Sequence, residues 1–156
     1  FRYFLKVMEQ RVSQTRQNPR LGSIVKQFDE ATSQLVEATT YFATKAMSGE
    51  FTIPVLYATP YLELFGDVAI GYVLLWQAEI ADGKLQSIND AAGADTVEKK
   101  NELVASNKEA AFYRGKIASA EFFSNAVLSL AKGKARAIMS GESSPVEIPD
   151  LCLLRS

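Results

Sequence analysis

The amino-acid sequence predicts an all-α fold, an antiparallel up-and-down bundle of about four helices, and three observations support it. Apolar residues recur at steps of three and four over most of the chain, the spacing that lines one face of a helix, and no stretch alternates with period two. Every proline falls at a proposed helix start, in a connection or in the tail after Gly141, so none interrupts a helical run. No internal repeat of solenoid length is present. A chain of 156 residues with 47% apolar content suits one domain with a real core.

The elements follow in order. Residues 1–17 open in helical pattern, with Phe1, Phe4, Leu5, Met8 and Val12 on one face and no cap before them. This stretch is expected to be the end of a helical domain that begins upstream, so the sequence reads as a fragment of something longer. Asn18-Pro19 breaks it and starts a second helix, with Asn18 as cap and Pro19 at the first position. That helix reaches about Met47, burying Leu21, Ile24, Phe28, Ala31, Leu35, Ala38, Phe42 and Ala46 and leaving Lys26, Glu30 and Glu37 outside. Gly49 suits the left-handed position that ends it. Residues 50–58, with Pro54 inside, read as a turn or extended link.

Residues 58–82, ATPYLELFGDVAIGYVLLWQAEIAD, form the central helix, with Thr59 as cap, Pro60 at the first position and Glu63 in the first turn. Gly83 weakens it, but Leu85 and Ile88 keep a helical step, which leaves its end open by several residues. From Val68 to Trp76 no face carries a charge, which predicts a helix surrounded by other helices. Residues 89–94, NDAAGA, read as a loop. Asp95 and Glu98 have the spacing of a capping box and open a last helix that runs to about Gly141. Its early turns are polar. Further on, Tyr113, Ile117, Ala120, Ser124, Val127, Ala131 and Ile138 make the core stripe, with Phe112, Phe123 and Leu130 flanking it. Residues 18–141 are thus the bundle and 142–156 an irregular tail, whose Leu151, Cys152, Leu153 and Leu154 could equally dock on a neighbouring surface or be disordered.

Composition excludes several function classes. With no histidine, the chain holds no Ser-His-Asp triad, histidine-bound zinc or Glu-x-x-His di-iron site. A net charge of -1 makes no electrostatic case for nucleic acid or an anionic membrane surface. One cysteine, Cys152, permits no internal disulfide and points to a reducing, cytoplasmic setting. Glu63, Asp67 and Glu79 interrupt the apolar run, so no membrane span is expected.

Candidate motifs read structurally. Gly66 and Gly71 have P-loop separation, but Tyr72 stands where lysine is needed and both lie inside a helix. They are better used for a close helix crossing. Glu63 and Asp67, one turn apart, could be paired carboxylates for acid/base chemistry or metal binding. An ion pair with Lys116 or Arg114, or simple solvation, is the preferred reading, and Lys116 is expected beside Glu63 or Asp67. The aromatic clusters at Tyr57, Tyr61, Phe65, Tyr72 and Trp76 and at Phe112, Tyr113, Phe122 and Phe123 read mainly as packing, with the hydroxyls of Tyr61 and Tyr113 at a boundary.

Two stretches carry a family resemblance. Residues 58–81 resemble the central helix of the C-terminal helical module of long acyl-CoA dehydrogenases, on Ala58, Thr59, Tyr61, Leu62, Phe65 and Gly66. Residues 110–128, AAFYRGKIASAEFFSNAVL, resemble its next helix, on Phe112, Tyr113, Lys116, Ala118, Ala120, Phe122 and Phe123. Methylmercaptopropionyl-CoA dehydrogenase and its relatives are the type, and the resemblance spans about residues 21–139. It implies an accessory domain of a flavoprotein that oxidises acyl-CoA to enoyl-CoA, with FAD and the glutamate base in upstream domains. On this reading the chain has no catalytic, cofactor-binding or metal-binding residue. Tyr61, Phe65, Gly66, Asp67, Phe112, Tyr113, Lys116, Phe122 and Phe123 would serve structure and interdomain contact. The implied partners are the upstream catalytic domains, further copies in a homo-oligomer, and the acyl-CoA substrate of the parent enzyme. The polar stretch between Ala81 and Ala110 is longer than the family pattern. A non-enzymatic helical bundle that binds another protein is the alternative, and an apolar-ligand carrier a third reading. The reading frame upstream of Phe1 separates the first two.

Overall fold

The computed structural model describes residues 1–149 and Cys152, and every regular element among them is helical. The elements are α1 (Arg2–Thr15), a 3₁₀ turn at Pro19–Leu21, α2 (Gly22–Met47), α3 (Thr52–Leu56), α4 (Ala58–Ala91), α5 (Val97–Ser106), α6 (Lys108–Ala126), a 3₁₀ turn at Leu128–Leu130, α7 (Ala131–Ile138) and α8 (Ser144–Glu147). Leu151, Leu153 and Leu154, for which the sequence leaves both docking and disorder open, lie outside the described residues. Cys152 is exposed and free.

Helix ends follow local chemistry. Asn18 accepts a bond from the Arg20 amide at 3.0 Å as expected, but it caps a 3₁₀ turn that leads into α2. At the far end of α2, Gly49 has φ +82°. Its amide reaches the Ala46 carbonyl while Glu50 reaches back to Lys45, closing a Schellman motif. Gly93, φ +62°, closes α4 in the same way, with Ala94 bonded to Asn89 and Gly93 to Asp90.

Four boundaries differ from the sequence reading. Residues 52–56 are helical, not extended, because Pro54 sits in a first turn whose amides have no intrahelical acceptor. Thr59 does not cap α4, which starts at Ala58 directly after α3 and has no side-chain cap. α4 then passes Gly83 and absorbs half of the expected 89–94 loop, ending at Ala91. The helix expected from Asp95 to Gly141 is broken into α5, α6 and α7. Thr96, not Asp95, caps α5, while Asp95 pairs with Lys99 at 2.7 Å. Asn107 breaks the run: extended at φ -113°, ψ 115°, its Oδ1 accepts from the amides of Glu109 and Ala110. A short polar side chain here outcompetes the helix for its own backbone.

The core is one cluster drawn from α1, α2, α4, α6, α7 and the two 3₁₀ turns. Met8, Val12, Phe28, Leu35, Leu64, Val68, Leu75, Ile117, Leu128 and Ile138 are buried in it. The stripe expected on the last helices holds at Ile117, Ala120, Ser124, Ala131 and Ile138. α4 meets α6 most extensively, then α2, α7 and α1. Gln77 lies opposite Lys116 and Gly71 opposite Leu128, so α4 and α6 run in opposite directions. At Gly71 the close approach predicted for the glycines is real, since an added Cβ would sit 3.0 Å from Leu128 Cδ1. Gly66 has no such neighbour: nothing lies within 4 Å of its would-be Cβ.

α1 is part of the same packing. Phe4 stacks on Phe65 with ring centroids 5.1 Å apart. The Arg11 guanidinium lies 4.5 Å from the Trp76 ring centroid and 3.5 Å from Glu79, the latter a coulombic contact without hydrogen-bond geometry. A second tie joins the α1–α2 corner to α4. Asp82, 6% exposed, accepts two bonds from Arg20, at 2.8 and 2.7 Å, and one from Asn18 at 2.6 Å. The Arg20 hydrogen bond, helped by Asn18, holds the Asp82 carboxyl below the usual aspartate range.

Candidate functional site

The carboxylates that sequence alone singled out do not converge. Asp67 makes its ion pair with Lys134 of α7 at 2.6 Å. Lys116 instead donates to the Gln77 side chain at 3.3 Å and lies 5.5 Å from the Phe112 ring centroid, so the expected pairing with Glu63 or Asp67 is wrong. Arg114 pairs with Glu121. Glu63 is exposed and in no ion pair among the described residues. No group of three or more Cys, Asp or Glu able to hold a metal occurs among them either.

The aromatic positions divide into two sets. Tyr61 packs on Phe42, with centroids 5.0 Å apart, and its hydroxyl meets that of Thr39 at 2.8 Å. Phe65, Tyr72, Tyr113 and Phe123 are partly buried against the core. Phe112 and Phe122 are exposed, and Trp76 is 41% exposed. These last three are not core residues.

Their exposure belongs to a larger feature that contradicts the sequence reading of α4. An all-round apolar helix is expected to be covered on every side. Here Leu64, Val68, Gly71, Leu75, Ala78 and Ala81 face the bundle, while Leu62, Ile70, Val73, Trp76 and Ile80 face outward and are 41–68% exposed. At 100° per residue, positions 62, 66, 70, 73, 77 and 80 fall within one sector of about 80°, an uncharged stripe about 27 Å long. Scattered exposed apolar residues are ordinary, but a contiguous patch marks a contact surface. Beside its Ile80 end lies a cavity of about 170 Å³ lined by Gln77, Ile80, Ala81, Phe112, Tyr113 and Lys116, a socket for one apolar side chain.

α4 is also long and apolar enough to cross a bilayer by length and composition, a property shared with core helices of soluble folds. A third of its most apolar window is buried in the bundle. Asp67 and Glu79 in the same helix face cations of α7 and α1.

Gly66 and Gly71 form no phosphate cradle. A Rossmann-type dinucleotide site sets glycine amides against phosphate at a helix N-terminus. Gly66 and Gly71 lie inside α4, with their amides in the helix ladder. The α4–α6 socket is smaller than the roughly 300–1,000 Å³ of a typical ligand site. A more polar cavity of about 250 Å³, edged by Arg20, Asn89, Lys100 and Arg114, lies between α4, α5 and α6. Neither holds a nucleophile beside a general base.

A comparison with curated proteins returned no match. The family model described as "Acetyl-CoA dehydrogenase C-terminal like" matches residues 4–149, from the first turns of α1 through α8. The chain therefore belongs to the family of acetyl-CoA dehydrogenase C-terminal-like domains.

Proposed function

We propose that this chain is the C-terminal accessory and assembly domain of an FAD-dependent acyl-CoA dehydrogenase, inert by itself. The observation that carries the reading is the family match over residues 4–149. The uncharged outer face of α4 suits a domain whose work is contact. In the parent enzyme the resemblance implies α-proton abstraction by an upstream carboxylate and β-hydride transfer to flavin. No residue described here takes part in either step, and FAD would be held elsewhere in the polypeptide.

The finer reading is a methylmercaptopropionyl-CoA dehydrogenase-like subtype, cytoplasmic, without a membrane span. In it the helices would form an antiparallel up-and-down bundle of about four, which the opposed directions of α4 and α6 support. Residues 1–17 would end the preceding helical domain, 18–141 the bundle proper, and 142–156 a tail. The test is the whole polypeptide that carries this chain. Purified, it should bind flavin and reduce an electron acceptor with an acyl-CoA, most readily a short thioether one. Removal of residues 18–141 should disturb assembly or stability while leaving the flavin spectrum. A polypeptide with no flavin and no acyl-CoA oxidation would sink the reading in favour of a non-enzymatic partner-binding bundle.

A further inference from the structure

The outer face of α4 carries exposed apolar residues at both ends and on either side of its middle. Leu62, Gly66 and Ile70 run up one half and Ile80, Gln77 and Val73 down the other, with their midpoint between Ile70 and Val73. Rotation by 180° about an axis crossing α4 at that midpoint, in the plane of contact, sets two α4 helices antiparallel. It puts Leu62 of one copy against Ile80 of the other and Gly66 against Gln77.

Charge fits the same operation. At 100° per residue Glu63 falls just beyond the edge of the stripe along which α6 and then α7 run, and Lys116 of α6 reaches Gln77 on that same edge at the opposite end. Within the chain neither has an ionic partner among the described residues. The rotation keeps each edge on its own side and exchanges the ends. It therefore carries Glu63 of each copy toward Lys116 of the other, giving two equivalent ion pairs. Lys84 follows Ile80 by one turn and adds a second cation near the same end.

Gly66 is a third, independent observation. A glycine inside a helix costs about 1 kcal/mol relative to alanine. Gly71 offsets that cost by admitting Leu128, but among the described residues nothing uses the space at Gly66. On an outer face, a missing side chain lets a second helix come close.

We propose that a second copy of this chain docks on the α4 face through an isologous, antiparallel α4 pair centred on Ile70 and Val73, with Glu63 of each copy facing Lys116 of the other. The inference rests on the assembly role proposed above and assigns its partner. A two-fold contact of this kind is self-complementary by construction.

The experiment is cross-linking in the whole polypeptide with Cys152→Ser and Val73→Cys. Val73 is 45% exposed, so the substitution spares the core. The two thiols flank the axis, and a short bis-maleimide should join copies in high yield. Glu63→Lys and Lys116→Glu should each lower that yield at least tenfold, and the two together should restore it to within about threefold, the signature of a direct charge pair. Far-UV circular dichroism of each variant confirms that it is folded. Absence of the Val73→Cys cross-link at about 100 µM, where weak specific pairs are populated, overturns the proposal, and so does a charge exchange that fails to restore it. A polypeptide that oxidises acyl-CoA but gives no cross-link removes the α4 pair alone. One that cross-links but holds no flavin removes the dehydrogenase reading alone.

Discussion

Gly71→Ala and Gly83→Ala make the same chemical change in the same helix, and only the second should raise stability. Both glycines lie inside α4, and alanine at either raises helix propensity by about 1 kcal/mol. At Gly83 nothing lies within 4 Å of the new Cβ, so the gain is kept. At Gly71 the Cβ would sit 3.0 and 3.1 Å from the two Leu128 methyls and 3.5 Å from Leu128 Cγ. Leu128 is 3% exposed, so its side chain must shift within the packed bundle to admit the new Cβ. Overpacking of this kind costs about 1–3 kcal/mol, so Gly71→Ala should come out neutral to about 2 kcal/mol destabilised. Urea unfolding at matched slopes measures both. The gap between the two variants should be about 1–3 kcal/mol, and equal midpoints would refute the close α4–Leu128 contact.

Asp82→Asn should cost about 2 kcal/mol at pH 7, because it weakens a buried acceptor of two Arg20 bonds. The value stays modest because the Arg20 side chain is 56% exposed. The Asp82 carboxyl is held below its ordinary pKa, so its contribution is complete above about pH 4 and is lost as pH falls through the lowered folded value. Urea midpoints of wild type and variant should therefore converge at low pH. Asn107→Ala should cost about 1 kcal/mol by leaving the first amides of α6 uncapped, seen as a lower thermal midpoint. Arg11→Ala removes the cation over the only tryptophan and should alter Trp76 fluorescence while costing about 1 kcal/mol. Unchanged emission would mean that α1 does not lie across α4.

The sequence carried the helical class and the core faces, because apolar spacing records which side of a helix is covered. Gly49 was legible as a helix end, since left-handed backbone has few occupants. Asn107 was not, because an asparagine in a polar run competes for the backbone only when its side chain turns onto the next amides. Periodicity gives a face and not a height. Lys116 and Lys134 are 18 residues apart, five whole turns of an unbroken helix, and Asp67 proved to meet the second. The α4 face shows a deeper limit. An all-round apolar pattern says that a helix is covered, but not whether its own chain supplies the cover. The exposed Ile70, Val73 and Ile80 became visible only when the other helices were in place around them.

The accessory role is tested most directly by titrating the purified chain with FAD and then with an acyl-CoA, following flavin absorbance. A domain that contributes contact and no chemistry should bind no stoichiometric flavin and bleach none. One FAD held per chain, with its absorbance lost on addition of acyl-CoA, would contradict it.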